Sequence, residues 1–453
     1  MDYGILTLVP ALVVLVLGIL TKRTTESLFI GSILAYIIIG GTKFLSLLVE
    51  AVFSVMTNYD DAWLIFVCGL FGSFIALLEK SKGTDAVGVL IGKACKKERH
   101  TLIGSFFLGI LIFVDDYLNI MTIGSCMRKA CDKQRIPRES LAYIIDSTGA
   151  PVCILLPFST WAIFYANTFY KEESVKALNL GSAMDTYIHA LPYMFYAIIA
   201  LVIVFLFAYG IFPKIGQMKK AYERVKEGGK TYSKESECLN MDSDDYIDEN
   251  SNILDFLLPI VVLIVITIVY GDILYALIDA MAVCFIMYIP RKRIKIAEFF
   301  EVIVSGFQST IPALAIILFA LVMRNALGDL NMPNYVVNAV LPYVNSNTFP
   351  AIAFAVVGTV AFFTGSNWGT PAICAPIVLS VASACGDNIL LVMAAIACGG
   401  IFCSHACFYS DATILTSAAC KIQNTDHAFT QLPYALISAG LSFIVFLIFG
   451  FII

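Results

Sequence analysis

Charge is what this sequence lacks. Lys, Arg, Asp and Glu make up 14% of 453 residues, where soluble proteins carry about a quarter, so an ordinary solvated globular surface is excluded. Metal-type cysteine spacing is missing too: the thirteen cysteines are scattered through apolar segments without CxxC pairs or histidine-rich spacing. Neither a disulfide framework nor a zinc site finds support, and buried, reduced thiols are expected. The ~10-residue alternating segments of an outer-membrane barrel are absent as well. The first apolar run, "ILTLVPALVVLVLGIL", is followed by Lys22 and Arg23 with no small-residue cleavage site, so it reads as a first span and not as a removed signal peptide.

What fills the chain is apolar sequence: 59% hydrophobic residues and a mean hydropathy of +0.85. Runs of membrane-spanning type recur along nearly the whole length. The class is an all-α polytopic membrane protein.

Basic residues cluster at 22–23, "KACKKERH" (93–100), "RKACDKQRIPR" (128–138), the polar stretch 213–252 and "RKRIK" (291–295). By the positive-inside rule these loops face the cytoplasm. The N-terminus is then outside, with spans near 5–20, 26–41, 62–79, 139–165, 187–212, 254–270 and 273–290. The multi-pass chain is expected in the cytoplasmic membrane.

One segment breaks this alternation. Both flanks of residues 101–127 are basic, yet ~27 residues cannot hold two spans of ~20 each. A re-entrant hairpin entering from the cytoplasm resolves the conflict, with Asp115, Asp116 and Asn119 at its tip.

A shift of roughly 250 residues brings the two halves into register. Run 5–20 falls on 254–269, and 62–79 on 311–328. The amphipathic pieces "KFLSLLVEAVFSVM" and "KIAEFFEVIVSGFQ" also match, and read as helices on the membrane surface. The tip "DDYLN" falls on "GSNWG" (365–369), and "STGAP" (147–151) on "CGGIF" (398–402). An odd number of crossings between the copies turns the second half upside down. The chain divides into a first inverted repeat (1–212, with the hairpin 101–127 and a broken helix over 139–165), a solvated cytoplasmic linker (213–252) and a second repeat (253–453). That second repeat holds an outside hairpin near 349–385 and a broken helix over 388–420. Opposed hairpins and helices broken at "STGAP" and "CGGIF" are features of secondary transporters, where freed backbone groups bind substrate or ion.

Ionisable residues at membrane depth cost roughly 3 kcal/mol each and mark ion paths. Asp115, Asp116, Asp146 and Asp411 qualify, with His405 beside them. Asp146 precedes the break at "STGAP" with no basic residue within a helical turn. Desolvation favours the neutral form of such a carboxylate, so it can give up a proton near physiological pH and take a hard cation instead. Ser147 and Thr148, with carbonyls freed by the break, supply oxygens for Na+. Capping is the competing structural role for Asp146 and Asp411, a water-filled mouth for Asp115 and Asp116, and a satisfied core position for His405. Thr364, Ser366, Asn367, Thr370, Ser404, Ser410 and Thr413 are uncharged oxygen donors along the path. The expected Na+ ligands are Asp146, Ser147, Asn119 and Asn367. Arg324, at the end of its run, is the one arginine of the expected core, which favours cations over dicarboxylates.

The stretches "FVDDYLNIMTIGSCMRKACDKQRIPRESLAYIIDSTGAPVCILLPFSTW", "FFTGSNWGTPAICAP" and "SDATILTSAACKIQNTDHAFTQLPYAL" resemble the NhaC family of Na+/H+ antiporters, within the ion-transporter superfamily. The resemblance implies a scaffold domain and a transport domain moving as an elevator, usually in a homodimer. It implies exchange of Na+ for H+, or of either ion against small organic anions or amino acids, with no resident cofactor and no nucleic acid. Asn367 stands where many relatives carry a small hydroxyl residue. An aspartyl protease would need a GxGD context that the sequence does not contain and would leave the repeat unexplained, and a passive channel would be excluded by saturable exchange kinetics.

Overall fold

The computed structural model describes residues 3–21, 23–84, 86, 97–157, 159–240, 252–340 and 345–453. Lys22, residues 93–96 of the second basic cluster and 241–251 of the polar stretch lie outside them. Every regular element among the described residues is helical. The principal helices are α1 Val9–Thr21, α2 Thr24–Gly40, α3 Phe44–Thr57, α4 Tyr59–Lys80, α5 Glu98–Leu111, α6 Asp116–Lys133, α7 Arg138–Thr148, α8 Ala150–Leu155, α9 Thr160–Phe169 and α10 Phe195–Tyr209. After them come α11 Gly216–Lys226, α12 Leu254–Tyr270, α13 Ile273–Tyr288, α14 Ile296–Ser309, α15 Ile311–Asp329, α16 Phe349–Thr364, α17 Gly369–Cys385, α18 Ile389–Ala406, α19 Asp411–Cys420 and α20 Asn424–Ile452. Five helical stretches among the described residues are long and apolar enough to cross a membrane, or seven if each bent pair is one span.

Two hydrophobic cores hold the molecule. One joins α1–α4 and α12–α15 to the first hairpin and α19; the other joins α8 and α9 to α16, α17 and most of α18. Helix α10 belongs to both, through Phe195–Ala200 on one side and Ile203–Ala208 on the other. Small residues set a close helix crossing, α14 on α4. Ser73 Oγ donates to the Ile303 carbonyl at 2.8 Å, and a Cβ on Gly306 would lie 2.6 Å from the Gly72 carbonyl. The ion pair Lys80–Glu298 (2.6 Å) closes the far end, so α14 runs alongside the second half of α4.

The first hairpin is α5 and α6. Its tip turns because Asp115 caps α6, accepting from the Tyr117 N–H at 3.0 Å and the Leu118 N–H at 3.2 Å. At 14 residues α5 spans about 21 Å, less than a ~30 Å hydrocarbon core. The second hairpin is α16 and α17. Gly365 takes φ +65° at its tip, where a Cβ would press on the Tyr409 ring at 2.6 Å; Ser366 Oγ accepts from the Gly369 N–H at 3.0 Å.

Helix breaks follow both hairpins, but not wholly where the glycines put them. In the first half α7 kinks at Gly149, as expected at "STGAP", and α8 ends at Leu155 before α9 starts at Thr160. In the second half α18 runs unbroken through "CGGIF", and the break falls over 407–410. The reason is packing: a Cβ on Gly399 would lie 2.8 Å from the Gly358 nitrogen, and one on Gly400 would lie 2.8 Å from the Asn367 carbonyl. These glycines admit neighbours without unwinding the helix. A serine cap re-starts the chain after each break: Ser159 Oγ accepts from Ala162 N–H (3.0 Å) and donates to the Cys153 carbonyl (2.5 Å). Ser410 Oγ accepts from Thr413 N–H (3.3 Å) and donates to the Ser404 carbonyl (3.1 Å).

The polar stretch, expected as a solvated linker, is docked over 216–240. Arg138, buried at the start of α7, donates to Asp132 at 2.8 and 2.9 Å and to Asn240 Oδ1 at 2.6 Å. Arg224 pairs with buried Glu139 at 2.9 Å, and the Gln423 N–H donates to Ser236 Oγ at 2.9 Å. A buried arginine with several acceptors is what binds this segment to the bundle.

Candidate functional site

The two hairpin tips and the two breaks converge at the starts of α6, α9, α17 and α19. A cavity of about 440 Å³ opens beside them, lined by Asp115, Tyr117, Thr160, Ser366, Asn367 and Asp411, and near its mouth by Tyr59, Asp60, Asp61 and Asp272. Asp411, at the first position of α19, accepts from Asn367 Nδ2 at 2.9 Å, from its neighbour's N–H (Ala412) at 2.8 Å and from the Tyr117 hydroxyl at 2.5 Å. Asp115 also accepts from Thr160 Oγ1 at 3.0 Å. The two hairpins are thus joined through Tyr117, Asp411 and Asn367.

Asp116 is the exception among these carboxylates. It is 0% exposed, and neither of its oxygens has a hydrogen-bond partner among the described residues. Its Cβ faces Gly149 at the α7 kink, since a Cβ there would stand 3.6 Å away. The charges of Asp115 and Asp411 are close enough to act on it. Asn119, one turn on, donates to the carbonyls of Gly109 (2.6 Å), Ile112 (2.9 Å) and Thr148 (3.3 Å), which leaves its Oδ1 buried and unpaired. The indole N–H of Trp161, on the first turn of α9, makes no hydrogen bond of ordinary geometry but lies near enough to Asp116 to act on it. Unsatisfied buried carboxylates are rare and costly, and point to a cation or proton as the intended partner.

A second buried group lies behind the first. Asp146 Oδ2 accepts from Gln431 Nε2 at 2.6 Å, meets His427 Nε2 at 3.1 Å and Thr413 Oγ1 at 3.5 Å. Ser147 Oγ meets His405 Nε2 at 2.8 Å, and Tyr196 meets His405 Nδ1 at 2.8 Å. Thr413 Oγ1 also donates to the Ser404 carbonyl at 3.2 Å and lies 3.0 Å from Ser410 Oγ. Thr364 and Thr370 bond each other at 2.7 Å in the second hairpin, and Thr148 is tied to the Ile144 carbonyl at 2.8 Å.

The chain also matches a known family model, over residues 163–451, described as the Na+/H+ antiporter family. The chain belongs to that family. An uncharacterized protein of Haemophilus influenzae is 25% identical over 98% of this chain and 91% of its own length. Membership makes this a multi-pass membrane protein of cation/proton antiport, in agreement with its apolar helices.

In this antiporter the residues expected to bind the ion form two adjoining groups. Asp115, Asp116, Asn367, Ser366 and Asp411 gather at the tips; Asp146, Ser147, His405 and Thr413 gather behind them. The four expected Na+ ligands do not share one shell. Ser147 is engaged by His405, Asn367 turns its amide to Asp411, and Asn119 turns its amide to three carbonyls. Arg324 lines the cavity mouth and is held by both oxygens of Asp61, at 2.7 and 2.9 Å.

Sequence reasoning missed His427, Gln431, Tyr117, Thr160 and Tyr196. A search for charges within a helical turn of Asp146 cannot find partners 281 and 285 residues away. The signal was the i, i+4 spacing of His427 and Gln431, two polar residues on one face of a helix that turns apolar beyond them.

Proposed function

We propose that this protein exchanges Na+ for H+ across the cytoplasmic membrane by alternating access, its two halves being inverted repeats and its hairpin-bearing part moving as an elevator within a homodimer. The observation that carries the reading is Asp116: a fully buried carboxylate whose oxygens make no hydrogen bond of ordinary geometry, next in the chain to Asp115, which lines the cavity. A cation arriving from the cavity would meet Asp115 and Asp411 first and then Asp116, with Asn119 Oδ1 and backbone carbonyls of the kink at hand. The basic residues Arg128, Lys133 and Arg138 sit at the opposite end of the bundle. Lys133 is roughly 27 Å from the tip along α6, so the positive-inside rule gives the cavity an outward opening.

An exchanger of small organic solutes is the second reading, and the cavity size favours it, since ~300–1,000 Å³ is typical for a small-molecule site. The lining opposes an organic anion. Asp60, Asp61, Asp115, Asp272 and Asp411 face a lone Arg324 that Asp61 already holds.

Proteoliposomes loaded with a pH-sensitive dye decide between them. A Na+ gradient with no organic solute present should move protons; silence of the dye on Na+ addition would sink the antiport reading. Asp146→Asn should abolish the signal while the variant is still produced and inserted.

A further inference from the structure

Glu79, at the basic end of α4, holds two cations at once. Its Oε1 takes the Arg128 guanidinium, and its Oε2 lies 3.9 Å from Lys421 Nζ. Both cations belong to a different part of the bundle. Arg128 also donates to the Ala419 carbonyl at 2.8 Å, and a Cβ on Gly124, one turn earlier, would stand 2.5 Å from the Ala419 Cβ, so α6 and α19 pack as one piece. Glu79 instead rides on α4. That helix is tied to α14 by Ser73, to Asp272 before α13 by the Trp63 indole (3.0 Å), and to Arg324 of α15 by Asp61. Three residues after Lys421, Asn424 Nδ2 at the start of α20 makes a second crossing, donating to Thr24 Oγ1 at the start of α2 at 3.3 Å.

We infer that Glu79, with Arg128 and Lys421 and the Thr24–Asn424 bond beside it, is a latch that shuts the cytoplasmic end of the path while the cavity stands open to the outside, and that it must part for the cation to leave inward. This rests on the reading of the protein as an alternating-access exchanger. Glu79 is a positioning residue in that scheme. It touches no transported ion and acts by holding α4 against α6 and α19.

The two ends of the bundle differ in how these parts meet. At the cavity, Asp61, Asp272 and Arg324 stand on one wall and Asp115, Asn367 and Asp411 on the other. Every side-chain hydrogen bond and ion pair of these six stays on its own wall: Asp61 with Arg324, Trp63 with Asp272, Thr160 with Asp115, Asn367 with Asp411. Across the gap the charge of Asp272 reaches Asp115, like facing like, which favours separation. At the basic end the facing charges are opposite and in contact. They are also separable, because the Glu79 and Lys421 side chains keep 28% and 31% of their surface exposed, so water takes up each charge when the pair parts. Arg128 keeps the Ala419 carbonyl throughout. An apolar seal at the same place would offer no such exchange of partners.

Reversible cross-linking in proteoliposomes tests the latch, in a background with the exposed Cys238 and Cys385, and Cys95, replaced by Ser. Thr24→Cys/Asn424→Cys is bridged by a disulfide, and Glu79→Cys/Arg128→Cys by a short bis-thiosulfonate. Na+-driven proton movement should stop when either pair is bridged and return on reduction. Bridged protein that transports at its own reduced rate overturns the inference. Wild type that moves no protons on Na+ addition overturns the antiport reading instead, and labelling then decides the latch without transport. Cys68 is buried on the same face of α4 as Glu79, three turns before it. In inverted vesicles Glu79→Gln should let a membrane-impermeant maleimide reach Cys68 about tenfold faster than in wild type, the effect of losing one charge-assisted contact from a two-state equilibrium. Glu79→Asp should bring the rate back towards wild type. Equal labelling of wild type and Glu79→Gln overturns the assignment of Glu79, whether or not the cysteine pairs insert.

Discussion

His427 and Asp146 are 281 positions apart in the chain and 3.1 Å apart in space. Helix α20 brings the histidine to the last turn of α7, and Gln431, one turn further, holds the same oxygen at 2.6 Å. A carboxylate that looks unneutralised along the sequence is therefore given a titratable partner and an amide by the last helix. Asp116, at the hairpin tip, receives neither.

That difference sets opposite signs for function and stability at Asp116. Asp116→Asn removes a buried carboxyl whose oxygens make no hydrogen bond of ordinary geometry, so the variant should melt at a higher temperature than wild type. The same change should lower Na+-driven proton movement in proteoliposomes by roughly 100-fold, the equivalent of losing one charged ligand of about 3 kcal/mol. A variant that transports normally would remove Asp116 from the ion path.

Gly400 tests the packing explanation for "CGGIF". A Cβ there would lie 2.6 Å from Pro371 Cγ and 2.8 Å from the Asn367 carbonyl, and would also crowd the Tyr165 hydroxyl, whereas at Gly440 it would meet nothing within 4 Å. Gly400→Ala should cost about 1–3 kcal/mol in overpacking and lower the melting temperature. Gly440→Ala should leave it unchanged or raise it slightly. Equal melting of the two variants would mean that Gly400 is not a close-approach position.

Asp387 lies in the turn between α17 and α18, where burial pushes its carboxyl up to about 6. A raised acid group favours folding in its protonated form. The stabilisation is complete below the unfolded value near 3.9 and is lost as pH rises through about 6. Asp387→Asn should therefore match wild type near pH 3.5, gain on it across about pH 4–6, and keep a constant advantage above about pH 6. Thermal melts at half-unit pH steps check this, and a constant difference over the whole range would contradict it.

Sidedness can be read from two cysteines. Cys238, in the docked polar stretch, and Cys385, at the end of α17, are exposed, while the other described cysteines are buried. With basic loops inside, a membrane-impermeant maleimide should label Cys385 in intact cells and Cys238 in inverted vesicles. Cys385→Ser and Cys238→Ser identify the sites, and the reverse pattern would invert the topology.

Local signals were enough to place many of the pieces. Low charge and long apolar runs fix a polytopic helical chain, because bilayer thickness and backbone hydrogen bonding leave few alternatives. The basic flanks of 101–127 and the short distance between them left room only for a hairpin, and the acidic tip stood out because carboxylates are expensive there. The glycines misled, since one residue type serves both to loosen a backbone and to admit a neighbour. At Gly149 it marks a kink, and at Gly399 and Gly400 it makes room for Gly358, Pro371 and Asn367.

The sequence by itself determined the helical membrane class, the hairpin tips and the set of polar residues held at depth, since each depends on local composition and spacing. Only the tertiary structure decided which of those residues face one another. It separated Asp116 from Asp146, engaged His405 through Ser147 and Tyr196, and supplied Asp146 with His427 and Gln431 from the far end of the chain. Partnership across some 280 residues is set by how helices pack, and no pattern of a few residues along one helix records it.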